Sequence, residues 1–217
     1  MGNKFRKDKI TEIRKNDIID VAEKIFFAKG YMESTMDDLA REAEYSKRTL
    51  YMYFESKREI YMEIMLRGFR MLNKEIENNC RGKEQSGIGL MEDIGKAYFA
   101  FAQTHPGHMQ AIMDYDTSEK DLSASASGDG LAGECYLEGE KTIQYLVDAL
   151  KHAKTDGTLS EDIDIIDAAV FLLASLNCFI SLMQNKAAYI GQKYQRQPAG
   201  LFETASQLLI RSIVKKQ

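Results

Sequence analysis

The chain has 217 residues, 44% hydrophobic and 29% charged, a balance typical of soluble globular proteins and enough for one large domain or a small domain joined to a larger one. It has only two prolines, Pro106 and Pro198, and no segment alternates as strands do, which excludes a sheet-based architecture. The formal net charge of −4 is uneven: residues 1–15 hold six Lys/Arg (Lys4, Arg6, Lys7, Lys9, Arg14, Lys15) against Asp8 and Glu12, a local balance of +4. A basic arm on an acidic body points to an anionic partner at one end, though a solvated, frayed terminus has the same composition.

In chain order, Ile18, Ala22, Ile25 and Phe26 follow the i, i+4, i+7, i+8 spacing of one helix face, and Gly30 is the residue type that ends a helix. Thr35 with Asp38 three residues on makes a capping box, with Asp in place of the usual Glu. It opens a second helix with a small inner face of Leu39, Ala40 and Ala43. A brief turn at Glu44–Tyr45 leads to Ser46, the N-cap of a third helix through about Tyr53. Ser56 caps a long fourth helix with Ile60, Ile64 and Met71 on one stripe. The second and third helices, joined by a tight turn, have the helix-turn-helix arrangement.

Arg81 to Gly89 reads as a loop, followed by a helix that stops before Pro106 and a shorter helix from Gly107. The Ser-, Gly- and Asp-rich stretch from Asp116 to Gly130 reads as a mobile loop or helix start. Leu131 to Ala153, Ile165 to about Ile190 and Leu201 to Val214 are the last three helices. The result is an all-α chain of about nine helices in two parts.

The three cysteines, Cys80, Cys135 and Cys178, are odd in number and far apart, which fits small apolar residues in a reducing cytoplasm. The N-terminus is charged from Lys4 onward and lacks a signal-peptide core. The most apolar run, Ala168 to Met183, is interrupted by Ser175, Asn177 and Ser181 and is shorter than the roughly 20 residues that span a bilayer. It reads as a buried helix, with no membrane partner.

On a helical wheel, Leu50 and Phe54 of the third helix share one side and Arg48 and Met52 the other. Tyr51 flanks one edge, Thr49 and Tyr53 the other, and Lys47 sits at the tip. Cations just after the N-cap oppose the helix dipole unless an anion shares the site. Phosphates of double-stranded DNA are such anions, and Lys, Arg, Thr and Tyr side chains contact phosphates or base edges. A solvated polar face over a core pair is the alternative.

Residues 18–64 resemble the DNA-binding domain of the tetracycline-repressor (TetR) family of transcriptional regulators. The resemblance is carried by Ile19, Ala22, Ile25 and Phe26, by Lys29-Gly30-Tyr31, by Ser34-Thr35-Met36-Asp37-Asp38-Leu39-Ala40, and above all by Thr49-Leu50-Tyr51-Met52-Tyr53-Phe54-Glu55-Ser56-Lys57. It covers about the first quarter of the chain. One departure is Glu44, where the family usually has Gly in the turn.

The resemblance implies a helix-turn-helix DNA-binding domain over residues 1–55 and a helical regulatory and dimerisation domain over residues 56–217. It implies DNA contacts from Thr35, Lys47, Arg48, Thr49, Tyr51, Met52, Tyr53 and Lys57. It also implies a homodimer joined through the last two helices, binding a palindromic operator, usually as a repressor. Apolar stripes of Ile166, Ala169, Val170, Leu173, Leu176 and Ile180, and of Leu201, Ala205, Leu208, Leu209 and Ile213, fit that interface and equally fit a monomer core. A small-molecule effector pocket is the family's usual regulatory device, and Tyr98, Phe101, Met109, Met113, Tyr136, Tyr145, Phe171 and Phe179 are candidates to line it; ordinary core packing is the other reading of each.

Two rivals stand beside this. His105 and His108, with Asp114 and Asp116 nearby, could serve a metal-dependent enzyme, but Pro106 and Gly107 break the helical i, i+3 geometry and no third ligand is spaced to join them. No nucleophile elbow, phosphate loop, HExxH or paired-carboxylate motif is present, so the expectation is no enzyme, no metal and no cofactor. A helical interaction protein whose basic arm binds acidic partners is the second rival.

Overall fold

The computed structural model describes residues 2–82, 85–116 and 130–215. They form nine α-helices: α1 (Gly2–Lys29), α2 (Met36–Glu42), α3 (Lys47–Tyr51), α4 (Lys57–Cys80), α5 (Gly87–Thr104), α6 (Pro106–Asp116), α7 (Gly130–Thr155), α8 (Ile165–Tyr194) and α9 (Pro198–Ile213). Leu159 and Val214 make an isolated antiparallel bridge. The expected loop at 117–129 lies outside the described residues.

Local chemistry accounts for most boundaries. Gly30, at φ 93°, stops α1 and donates its N–H to the Phe26 carbonyl. Thr35 and Asp38 close the expected capping box of α2, Ser46 caps α3 by accepting from the Thr49 N–H, and Ser56 accepts from the Glu59 N–H at the start of α4. Ser86 caps α5 through the Gly89 N–H, so that helix starts inside the segment expected to be a loop. Asp164 caps α8 through two backbone N–H groups, and Pro198 opens α9, where its missing N–H costs nothing.

The largest departure from expectation is at the start. The basic arm is not frayed but continues α1 as one helix of 28 residues. No Gly or Pro interrupts Asn3 to Lys29, and Thr11 and Asn16 each donate back to the carbonyl four residues earlier.

The chain divides into two compact units: Met1–Gly68 with Gln110–Tyr136, and Phe69–Met109 with Leu137–Gln217. The first has a core of Ile18, Ile19, Ala22 and Phe26 from α1, Leu39 and Ala40 from α2, Leu50 from α3, and Phe54. The core of this unit also takes in Ile60 and Ile64 of α4. In α4 the buried stripe goes on to Leu72 and Ile76, and Met71 is only half-buried. Tyr61 donates to Asp114 at 2.6 Å, and Arg67 pairs with Asp20 and Glu23 at 2.6 and 2.8 Å, so hydrophilic clamps reinforce the core.

In the second unit α9 packs against α5 and α8. Phe99 stacks on Phe202 at 4.2 Å between ring centroids, and Phe179 packs against both. Buried Asn73 donates to Glu138 and accepts from the Thr142 hydroxyl at 2.8 Å, so α4 meets α7 through satisfied polar groups. No disulfide joins Cys80, Cys135 and Cys178; Cys135 is buried, but Cys178 is exposed on α8 and is not the packed small residue expected.

Gly87 lies where α5 approaches α7 closely. Its N–H donates to Asp156 at 2.8 Å, and a Cβ there would fall 2.1 Å from the Ala153 backbone nitrogen. Backbone cannot yield as a side chain does, so Gly87→Ala should destabilise by about 1–3 kcal/mol. The check is urea unfolding: the midpoint should fall with an unchanged slope, and an unchanged midpoint would contradict the close approach.

Candidate nucleic-acid interface

The third helix is five residues long, too short to hold together by its own hydrogen bonds. It is fixed by its cap and by burial of Leu50, fully enclosed between α1, α2 and α4. Burying Leu50 forces the opposite face outward. Arg48 is exposed there, Met52 is 75% exposed and Tyr51 is 48% exposed. Two large apolar side chains held in water beside an arginine are a costly arrangement unless a partner covers them.

The turn before α3 is tightly specified. The Tyr45 N–H donates to the Ala40 carbonyl at 2.9 Å, and Glu44 takes φ 57°, in the left-handed region. This is the position where the resemblance expects Gly. The chain accepts the steric cost at Glu44 and keeps the turn.

Expected contact residues separate into two groups. Arg48, Tyr51 and Met52 are presented outward. Lys47 is exposed at the tip and pairs with Asp37 at 2.9 Å, which raises its pKa first through that hydrogen bond. Exposed ion pairs of this kind are weak enough for a phosphate to replace. Thr49 is half-buried with its hydroxyl on Ser46 at 2.7 Å, and Tyr53 is half-buried, its hydroxyl accepting from Arg14 at 3.1 Å. The helix ends at Tyr51, two residues earlier than expected, so Tyr53 belongs to the turn that follows.

Thr35 and Lys57 have local duties. The Thr35 hydroxyl accepts from the Asp38 N–H and donates to the Asp38 carboxylate. That carboxylate is held well below its usual range, first by its hydrogen bond from Lys29 and then by Thr35. The Lys57 ammonium is half-buried, donates to the Tyr31 and Ser34 carbonyls at 2.7 and 2.8 Å, and lies 4.2 Å from the Tyr31 ring centroid. Through these bonds Lys57, an expected phosphate contact, closes the loop between α1 and α2.

Sequence reasoning left out Arg14 and Lys15 as individual participants. Arg14 bonds Tyr53, and Lys15 lies 5.1 Å from the Phe54 ring centroid. The signal was present: Arg14 lies one turn before Ile18 on the face that enters the core.

The expected effector residues fall in both units. Tyr98, Phe101 and Met109 are buried, Tyr98 donating to Asn177 at 2.7 Å. Tyr145 donates to Glu77, Phe179 packs on Phe99 and Phe202, and Phe171 is 53% exposed. Met113 and Tyr136 are half-buried members of the first unit. A cavity of about 50 Å³ does lie in the second unit, lined by Met91, Gly95, Leu146, Leu172, Leu176, Ser206, Leu209 and Ile210, and none of the expected residues borders it.

The expected interface stripe is also reordered. Ile180 and Ile213 are buried inside the chain and Leu173 and Leu201 are half-buried, whereas Ile166, Val170 and Leu208 are 58%, 54% and 62% exposed. The expectation that α8 is a buried helix is corrected: only 17% of its most apolar stretch is buried, and its length and mean hydropathy of 2.1 would suffice to cross a bilayer.

His105 packs its ring on Phe101 and lies 6.0 Å from the His108 ring, while Asp114 is engaged by Tyr61 and Gln110. Among the described residues no group of three or more His, Cys, Asp or Glu side chains gathers as metal ligands. The Asp116 side chain lies outside the described residues.

Residues 18–64 match the family model for bacterial regulatory proteins of the tetR family. Over this segment the chain is similar to the TetR family of transcriptional regulators. Similar proteins include the HTH-type transcriptional regulator YhgD of Bacillus subtilis, 26% identical over 78% of this chain and 82% of that protein. The IcaR negative transcriptional regulator of the icaADBC biofilm operon, from Staphylococcus aureus, is 40% identical over 30% of this chain and 35% of its own length. A crystal structure of a tetR-family regulator from Shewanella shares the fold at TM-score 0.69 and 14% identity, covering 94% of this chain and 99% of that one. These relatives are regulators and not enzymes. The matched segment is the first unit's core with the Ser46-capped helix.

The strained turn makes a direct test. Glu44→Gly relieves a side chain held at positive φ, worth about 1–2 kcal/mol, and returns some of this as unfolded-chain entropy. A net gain of up to about 1 kcal/mol should appear as a higher melting temperature. A lower melting temperature would show that Glu44 is not strained.

Proposed function

We propose that this TetR-family regulator binds a palindromic DNA operator as a homodimer and represses transcription until a small-molecule effector releases it. The observation that carries DNA binding is the five-residue α3, whose buried Leu50 leaves Arg48, Tyr51 and Met52 pointing outward. Arg48 suits a guanine edge, and Met52 suits an apolar contact such as a thymine methyl. Lys47, exposed at the tip of α3, suits a phosphate. The cytoplasm, where such an operator is accessible, is the matching compartment.

Homodimerisation is supported by the apolar faces of α8 and α9. Ile166, Val170, Phe171, Leu182 and Tyr189 leave α8 uncovered on one side, while Ala169, Leu172, Ile180 and Met183 bury its other side. A second copy laying its own α8 and α9 on this face would remove it from water symmetrically. Repression follows the negative regulation carried in the name of IcaR, which aligns only over the DNA-binding segment. Effector release draws on the family resemblance. The cavity on α5, α7, α8 and α9 is its candidate seat, and at about 50 Å³ it must widen to hold a ligand even of benzene size, for which about 150 Å³ suffices.

On a duplex that the wild-type chain retains, Arg48→Ala should weaken binding by about 1–3 kcal/mol and relax preference at one base per half-site, read by fluorescence anisotropy against single-base variants. Unchanged affinity and preference would overturn the assignment of α3.

Val170→Glu tests the dimer. The side chain is 54% exposed in the single chain, so its replacement leaves the subunit fold intact. An unpaired carboxylate facing its own copy across a two-fold axis should cost several kcal/mol and give monomers by light scattering at micromolar concentration. A wild type that is already monomeric there would contradict the dimer.

A further inference from the structure

Resting on the DNA-binding reading above, we propose that the N-terminal part of α1 is a rigid phosphate rail, a second DNA contact that extends the footprint past the recognition helix into the flanking duplex. The rail consists of Lys7, Thr11, Arg14 and Lys15. Its first support is spacing. Positions 7, 11, 14 and 18 are separated by four, three and four residues and so share one helix face. At Ile18 that face enters the core against α2 and α3, and it continues at Ala22 and Phe26. The cations therefore extend the side of α1 that faces the recognition helix.

Its second support is contact. Arg14 donates to the Tyr53 hydroxyl at 3.1 Å, and the Lys15 ammonium lies 5.1 Å from the Phe54 ring centroid, immediately after α3. These two contacts align the overhang with the end of α3 that presents Tyr51 and Met52. The helix before Ile18 is about 24 Å long at 1.5 Å per residue, enough to follow a strand for several phosphates.

Its third support is charge distribution. Glu12 lies away from the 7–11–14 face, Asp8 and Asp17 stand at its two edges, and Arg6 and Lys9 project from the other side. Lys7 and Arg14 are exposed while Thr11 and Lys15 are half-buried, so the two cations at positions 7 and 14 stand open to solvent. A helix holds the cations in fixed register, which reduces the ordering cost that a flexible arm would incur on binding. A polyanion with regular spacing is the matching partner, and the alignment with α3 selects DNA over an anionic membrane.

The test compares two double variants with equal loss of charge: Lys7→Gln/Arg14→Gln on the rail and Arg6→Gln/Lys9→Gln on the other side. Each is titrated by anisotropy, in a salt series, against a duplex the wild type retains, with no flanks and with ten-base-pair flanks. The rail variant should lose about ten-fold on the flanked duplex at low salt and little on the bare one. Its salt slope should fall by about 1–2, near 0.9 for each phosphate that the variant no longer neutralises. The opposite-face variant should keep both slope and flank dependence. Equal losses in both variants, or a wild type indifferent to flanks, would overturn the rail while leaving the recognition helix standing. Wild-type binding to phosphatidylglycerol vesicles without flank dependence on DNA would assign the face to a membrane and overturn it. Failure of the wild type to retain any duplex would overturn the DNA reading and the rail together.

Discussion

Burial of Leu50 and Phe54 is the constraint on which the first unit depends. A five-residue helix has no independent stability, and its orientation is therefore not its own. Leu50 is held between α1, α2 and α4, and Phe54 fixes the chain as it leaves α3. Every outward property of α3 follows from this anchoring. Because Leu50 points in, Arg48 and Met52 must point out. The core also recruits Ile60 and Ile64, which makes the first turns of α4 part of the first unit. A change at Leu50 would thus alter what is presented and not simply how stable the unit is.

The capping chemistry sets the ends with the same economy. Asp38 closes the capping box with Thr35, pairs with Lys29 at 2.9 Å and with Arg41 at 2.8 Å. One carboxylate therefore joins the end of α1 to α2. Lys57 does the corresponding work for the loop between them by capping two carbonyls. The strained φ of Glu44 is tolerated because the core on either side of the turn leaves the backbone no alternative.

The N-terminal fold was legible because its signals are local. Gly30, Thr35 with Asp38, Ser46 and Ser56 each act within four residues of themselves, and each sits where its chemistry requires. The wheel of α3 was legible for the same reason, since one buried leucine determines the opposite face. Lys57 was not, because its carbonyl partners lie 23 and 26 residues away and a charge pattern says nothing of them. The helical continuation of α1 was hidden by composition: six cations look like a solvated arm until the absence of helix breakers is weighed. In the second unit, aromatic and methionine residues give no sign of which will line a cavity, and the cavity is bordered mostly by aliphatics instead. The same ambiguity placed Ile180 and Ile213 on a surface when they fill the core, while the outward stripe runs through Ile166, Val170 and Leu208.

The proposed symmetric pair of α3 helices needs both the outward face that Leu50 imposes on α3 and the uncovered apolar face of α8. Two copies related by a two-fold axis would meet two half-sites one helical turn, about 34–36 Å, or a multiple of it apart. Selection of bound DNA from a random pool by the wild-type chain, followed by sequencing, tests this most directly. The account predicts enrichment of an inverted repeat with half-sites at that separation. Enrichment of a single unrepeated site, or of no sequence at all, would contradict it.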